Sequence, residues 1–436
     1  MVLPRKCGGA KHTLSMTLGT DPSGTATTTA SAKGTPQRGF LRRAVRENIF
    51  PVAADIAILG GGCAGLATAV ALHRLLPDQS VVVLDGRTGP DPRTWCFWDQ
   101  GENPVPEAVT GTWDQWEIRT STGTSIGSDP HHPYRMIHAA DYRQAMTRRL
   151  THTGAAATVA GLHIADVRQE SNSFVTSTAL GTVTAPTTLD GRGPAHLDPV
   201  PEGRTRLQQR FLGLWVHTTK PVFDTSTVTL MDFTVQAPNG PVQFMYVLPV
   251  SPTDALVECT EFRPDSHGDE PFRNVINSYL TSRWGLQAHE WEVTAQEAGN
   301  IPMTDTPPAR GSVPAIGVRA GATRPSTGYA FTRIQQHATR TAEAIRDGSP
   351  VPLITDSWRT RLLDAIFLRF LRDQPEHAPD TFQRLFGRLP GPLTVRFLTE
   401  HSTVLDELRI IAVLPKRRFI RAAWTTFLER LRLVPA

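Results

Sequence analysis

The chain has 436 residues, too many for one ordinary hydrophobic core, so two or three domains are expected; 39% hydrophobic and 20% charged content is that of a globular protein. A net charge of +4 favours anionic surfaces but lacks the dense basic stripe of a nucleic-acid binder. Cys7, Cys63, Cys96 and Cys259 include no short pair, which excludes a CxxC zinc or redox site and gives no disulfide framework.

Residues 1–52 are rich in Thr, Ser, Gly, Lys and Arg, and Asp21 and Glu47 are the only acids before Phe50. So little apolar surface cannot offset the entropy of ordering, and the stretch reads as a disordered basic extension. Its composition also fits a transit peptide, or a start codon assigned too early, with Met16 as an internal candidate.

The first ordered unit is "DIAILGGGCAGLATAVALHRLLPDQSVVVLDGR", Asp55 to Arg87. Its weakly charged run, Ile56 to Leu72, is shorter than the roughly 20 residues of a membrane span and reads as buried strand plus helix. Gly60, Gly62 and Gly65 form GxGxxG between a β-like run and an apolar helix. The first glycine permits the tight turn, the second lets backbone approach a pyrophosphate, and the third lets helix pack on strand. An anion then sits at the helix N-terminus, where N–H groups are unpaired. "SVVVLD" supplies a second strand ending in Asp85, 25 residues beyond Gly60 and suitably placed for ribose hydroxyls. The motif alone does not separate NAD from FAD. Glycine turns far downstream, "LDGRGP" (Leu189 to Pro194) and "GVRAGATRPSTGYAF" (Gly317 to Phe331), favour the longer flavin, which needs close backbone approach at several points.

"RTWCFWDQ" (Arg93 to Gln100) reads as a loop-like aromatic knot, and residues 113 to 190 alternate short β-like runs with a helical pattern ending at Gly154. "DPHHPYRMI" reads as a loop, because adjacent histidines among prolines do not converge on one metal ion. Residues 211 to 262 read as antiparallel strands, with a turn at Pro238-Asn239-Gly240; residues 328 to 348 and nearly everything after Asp356 read as helical. The tail "LPKRRFIRAAWTTFLERLRLVPA" mixes Lys and Arg with Trp, Phe, Ile and Leu at helical spacing, the composition of an interfacial helix or of a packing helix with a basic outer face.

The ordered set "TWCFW", "LDGRGP", "QRFLGLWV…LMDFTV…FMYVLPVSPT", "GNIPM" and "GVRAGATRPSTGYAF" resembles the bacterial lycopene β-cyclases, relatives of the flavin aromatic hydroxylases, from about Asp55 to about Pro415. The resemblance implies an α/β fold. A Rossmann-like FAD-binding unit would occupy 53–110, continued at about 140–195 and 310–348. A mainly antiparallel substrate domain would span 196–309, and a helical C-terminal cap 349–436. It implies FAD kept reduced at the expense of NADPH, and acid-initiated cyclisation of lycopene through γ-carotene to β-carotene with no net redox change. The runner-up is an FAD-dependent monooxygenase or reductase acting on a hydrophobic substrate. Gly60, Gly62, Gly65 and Asp85 match the family's adenosine and diphosphate contacts, Asp190 and Arg192 its second flavin motif, and Gly321, Thr327 and Gly328 its third. Glu258 falls on the acidic motif the family treats as catalytic, but Cys259 replaces the second acid usual there, and Arg93 stands where a histidine is common.

Protonating an unactivated alkene demands an acid whose pKa is raised by an apolar pocket. Glu258, in the β-like run "DALVECTEF", suits that task; Glu261, three residues on, would point to the opposite face. The cation that follows is held by aromatic faces, for which Trp95, Phe97, Trp98, Phe244, Tyr246 and Tyr329 are candidates. No metal is expected. Lycopene dissolves in the bilayer, so the resemblance also implies a cytoplasmic enzyme attached peripherally to the inner face of the cell membrane, with other carotenoid enzymes as neighbours.

Overall fold

Valine, isoleucine and leucine runs bounded by glycine or acid make the central strands of a parallel sheet. Ile56–Leu59 lies between Val81–Leu84 and Thr187–Asp190, and Ala156–Val159 pairs with the outer edge of Val81–Leu84, all parallel. Every residue of Ile56–Leu59 and Val81–Leu84 is buried, as expected of strands covered on both faces. The computed structural model describes residues 43–431 apart from 45–46, 48, 102, 152–155, 194–199, 238–239, 265–269 and 309. The basic arm up to Arg42, the helix end at Gly154 and the turn at Pro238-Asn239 therefore lie outside the described residues. The described part of the stretch expected to be disordered to residue 52 is ordered instead. Ala44 and Val52 are buried, and Val52 pairs with Val183, which gives this short apolar segment a sheet edge to cover.

Helix α1 (Cys63–Leu75) follows the glycine turn, and its small residues Ala64, Gly65, Ala67 and Ala69 let it lie close on the sheet. Helix α2 (Ala139–Thr151) leads into the strand Ala156–Val159. The two segments read as loops contain strands: Thr94–Trp98 pairs antiparallel with Tyr134–His138, which also pairs with Val109–Trp113. Partners distant in sequence, rather than local alternation, supply that order.

The second layer is a seven-stranded sheet in the order Trp291–Thr304, Arg206–Thr218, Asp254–Arg263, Val242–Pro249, Thr227–Asp232, Gln115–Thr120, Gly123–Ser128. It is antiparallel except where Thr227–Asp232 runs parallel to Gln115–Thr120, so it recruits two strands from before the 196–309 segment. Helix α3 (Glu270–Trp284) covers one face, where Phe272, Ile276, Tyr279 and Leu280 pack against Leu212, Leu214, Val257 and Cys259. The other face meets the C-terminal helices. Helix α4 (Phe331–Arg346) packs with α1 on the parallel sheet. Then come α5 (Trp358–Asp373), α6 (Ala378–Arg388), α7 (Gly391–Leu398), α8 (Val404–Val413) and α9 (Lys416–Leu431). Phe370, Phe382, Leu385, Val395 and Ile410 of this group share a core with Phe244, Phe262 and Leu256 of the large sheet.

Candidate active site

A cavity of about 1270 Å³ runs from the glycine turn at Gly60 and Gly62, past Asp85, Arg192 and Thr327, along the large sheet at Glu258, and out between α8 and α9 at Leu408, Ile411 and Ile420. Its volume exceeds the usual small-molecule cleft of roughly 300–1,000 Å³.

At one end the backbone is shaped for close approach. Gly60 has φ +100°, and a β-carbon there would lie 2.7 Å from the Gly191 carbonyl oxygen; on Gly65 it would lie 1.8 Å from the Gly60 carbonyl oxygen. Gly62 caps α1 without a side-chain hydrogen bond, and no acid stands in the first turn, which leaves the helix N–H groups open to an anion. Asp85 accepts from Arg87 and Arg143. Burial opposes its charge, but these arginines hold its carboxyl below the usual range. Asp190 is likewise buried and kept ionised by Arg192, with Arg319 Nε 3.3 Å away. Gly65, Asp190 and Gly321 stand behind the cavity wall, whereas Gly60, Gly62, Asp85, Arg192, Thr327 and Gly328 are on it. Gln209 Oε1 and Thr323 Oγ1, of two further wall residues, are buried without a hydrogen-bond partner. Orphaned buried acceptors and hydroxyls are uncommon. Together with the glycine cradle, they fit a long ligand bearing a diphosphate and a polar ring.

Farther along, residues alternate across the strand Asp254–Arg263. Glu258, Thr260 and Phe262 face the cavity, while Cys259 faces the α3 core. Glu258 is 7% exposed, and its Oε1 accepts from Thr260 Oγ1 at 2.7 Å. Burial pushes its carboxyl up to about 8, helped by the nearby charge of Glu297 and opposed by the Thr260 bond. Burial thus favours the protonated acid near neutral pH. Glu261 leaves on the other face and accepts from Gln243.

Around Glu258 stand tyrosines. Tyr246 is its direct cross-strand neighbour. The Tyr134 and Tyr246 hydroxyls are 3.0 Å apart, and the Tyr329 hydroxyl donates to Tyr134 at 3.5 Å. Burial raises all three phenols, so they remain neutral. Trp95 and Phe244 also reach the wall.

The family model described as "Lycopene cyclase protein" matches residues 55–424. The chain belongs to the lycopene cyclase family. It is 27% identical over 393 residues to a lycopene beta-cyclase of Paracoccus sp. (strain N81106 / MBIC 01143), covering 83% of this chain and 94% of that one. It is 26% identical over 385 residues, with the same coverages, to the lycopene beta-cyclase of Pantoea ananas. Among solved structures, a geranylgeranyl bacteriochlorophyll reductase-like protein of Thermoplasma acidophilum superposes with TM-score 0.58 at 12% identity, covering 86% of this chain and 99% of that one. The flavin-dependent monooxygenase PieE, solved with FAD and substrate, gives TM-score 0.52 at 12% identity, covering 86% and 72%. These likenesses establish the flavoprotein fold.

Two candidate substrate residues do not reach the cavity of this cyclase-family chain. Phe97 stacks on Phe331 at 4.4 Å in the core beneath α4, and Trp98 is buried against Trp116 and Tyr134. Strand alternation turns Trp95 and Phe97 to one side, but only the first lies at the cavity's edge. Arg93, at the position where a histidine is common, pairs with Asp91 and lines the cavity. Sequence reading missed Tyr134, which it left in a loop, and Glu297, whose place depends on a strand pairing remote in sequence. Its only local signal was alternation within "AQEAGNIPM".

Proposed function

We propose that this enzyme is a lycopene β-cyclase that converts linear carotenoid ends to β-ionone rings, giving γ-carotene and then β-carotene with no net redox change. The observation that carries the reading is a buried glutamic acid, its carboxyl pushed up to about 8 by burial, set among tyrosines on the wall of a long apolar cavity in a cyclase-family chain. Glu258 donates its proton to the terminal alkene. Tyr134, Tyr246, Tyr329 and Phe244 face the resulting cation with π surfaces and exclude the water that would quench it. FAD, kept reduced at the expense of NADPH, would be held by Gly60, Gly62, Asp85, Arg192, Thr327 and Gly328, with Gln209 and Thr323 offering unsatisfied polar atoms. When bound and reduced, it supplies negative charge that stabilises the cation electrostatically.

The substrate is insoluble in water, and we place the enzyme peripherally on the inner face of the cell membrane, beside other carotenoid enzymes. Exposed Leu408 and Ile411 of α8 and Ile420 of α9 line the cavity mouth, and exposed Leu405, Trp424 and Phe427 continue the apolar surface of the same two helices. Lys416, Arg417 and Arg421 stand beside them, a pairing of apolar and basic groups suited to anionic lipid. No described helix is long and apolar enough to cross a membrane.

The test is pigment chromatography of lycopene-accumulating bacteria expressing the chain or its Glu258→Gln variant. Cyclised carotene from the parent, and intact lycopene with the variant, is the expected result. Unchanged lycopene with a well-expressed, FAD-loaded parent overturns the reading and favours oxygen- and NADPH-consuming turnover of another hydrophobic substrate.

A further inference from the structure

The strand Arg206–Thr218 runs between Asp254–Arg263 and Trp291–Thr304, and Gly213 is the direct partner of both Glu258 and Glu297. Glu258, Gly213 and Glu297 therefore form one row across the sheet, with their side-chain positions on one face. Gly213 leaves the middle of that row open. A β-carbon there would lie 3.1 Å from Glu297 Cγ, 3.5 Å from Glu258 Oε2 and 2.9 Å from Leu256 Cδ1. The two carboxyl groups thus share the space above a glycine, and both line the cavity. Glu297 is 3% exposed.

Their hydrogen-bond donors differ. Glu258 accepts from the Thr260 hydroxyl. Glu297 accepts from the Thr94 hydroxyl at 2.5 Å, and the Thr94 backbone N–H and Trp215 also bond to it. Donors favour the ionised form, so the pair is asymmetric. Burial raises Glu297 to about 6, held down by Thr94 and Trp215, against about 8 for Glu258. Between those values a coupled pair holds a single proton, mainly on Glu258. The other titratable or charged groups felt here are Asp91 and Arg93 on the loop before Thr94, Cys96 on the strand that Thr94 opens, Tyr246 directly across from Glu258, and Cys259 next to it on the other face.

We propose that Glu297 is the catalytic base that takes up the proton released at ring closure, so that Glu258 and Glu297 form a two-carboxyl relay. This rests on the lycopene reading above. The Glu258 O–H bond breaks and its proton joins the terminal alkene. The electron pair of the neighbouring double bond forms the new ring carbon–carbon bond, leaving the cation on a ring carbon. An adjacent C–H bond then breaks; its electron pair becomes the ring double bond and its proton goes to the Glu297 carboxylate. Return of that proton across the Gly213 gap to Glu258 restores the resting pair. No oxidant, reductant or water is consumed.

The relay is tested with FAD-loaded, dithionite-reduced enzyme acting on lycopene in liposomes, followed by chromatography across pH 5 to 9. The parent rate should rise as Glu297 ionises near pH 6 and fall as Glu258 ionises near pH 8. Glu297→Gln should lose the acid limb and about 10²-fold in rate, and release a larger share of rings with a misplaced double bond, because the cation must lose its proton elsewhere. Glu297→Asp should restore part of both. Thr94→Val, which keeps the carboxyl but removes a donor, should move the acid limb to higher pH. If Glu297→Gln retains the parent rate, limb and product, the inference is overturned while the cyclase reading stands. If Glu297→Gln fails to hold FAD, an unmoved limb in Thr94→Val overturns it. A parent that leaves lycopene untouched removes the cyclase reading, and the relay with it.

Discussion

The raised pKa of Glu258 has a thermodynamic consequence separate from catalysis. In the unfolded chain the carboxyl ionises near 4.5, whereas in the fold it keeps its proton to about 8. Between those values the native state binds more protons than the unfolded one, so stability falls as pH rises through the window and stays low above it. Glu258→Gln carries no such penalty. The variant should melt at the same temperature as the parent near pH 4.5 and several degrees higher near pH 8.5, a difference of order a few kcal/mol by roughly 1.4 kcal/mol per pKa unit. Melting curves of both proteins across that range provide the check; a variant no more stable at pH 8.5 would mean Glu258 is ionised and solvated. The facing of Glu258 was legible in sequence, because period-2 alternation sets it opposite Glu261, whereas its role as the acid came from the family resemblance and belongs to the proposal. Alternation also shows why Cys259 is tolerated: it lies in the α3 core, where a second acid would be buried among Leu212, Phe272 and Ile276. Glu297 was not legible, since nothing local reveals that a residue 39 positions beyond Glu258 shares the same partner, Gly213.

At the level of elements, the strand-turn-helix unit was readable because its signals are local and agree: β-branched strand, glycine turn, alanine-rich helix, second strand ending in Asp85. The glycines nevertheless have separable tasks. A methyl group on Gly65 would collide with the Gly60 carbonyl, so Gly65→Ala must push α1 off the sheet. A methyl group on Gly62 meets nothing nearer than Arg87 Nη2 at 3.7 Å, and its φ of −81° suits any residue. Gly62→Ala should therefore fold with unchanged melting of the flavin-free protein but hold FAD at least about tenfold more weakly, because the methyl group occupies the anion cradle. Gly65→Ala should lose both stability and FAD. Flavin absorbance per protein and melting of the flavin-free form separate the two effects; equal losses in both variants would contradict this division. The strands Thr94–Trp98 and Tyr134–His138 were illegible for the opposite reason. Neither alternates cleanly and both are flanked by prolines, so only their mutual pairing, across a gap of 35 residues from Trp98 to Tyr134, makes them strands.

Across the whole molecule, the cavity links a polar end suited to a dinucleotide with a mouth whose rim is apolar and basic. Helix α9 repeats apolar residues at Ile420, Trp424 and Phe427, exposed by 67%, 62% and 55%, while its opposite face buries Ala422 and Thr426 in the protein. Such a helix has two apolar sides, and the core claims only one. Composition had left the tail divided between interfacial helix and packing helix; the fold gives α9 both surfaces. The outer stripe meets the cavity at Ile420, as Leu408 and Ile411 do on α8, so a bilayer touching these helices would lie against the opening that, on the proposed function, admits the carotenoid. The triple variant Ile420→Ser, Trp424→Ser, Phe427→Ser removes apolar area without entering the core. It should keep the parent's fold and FAD content, bind anionic vesicles at least about tenfold more weakly, and lose activity on liposomal lycopene in proportion. Raising the salt concentration should weaken parent binding through Lys416, Arg417 and Arg421 but should not abolish it, because the apolar contribution is not screened. Vesicle co-sedimentation measures both effects, and a triple variant that still sediments like the parent would move the membrane contact away from the cavity mouth.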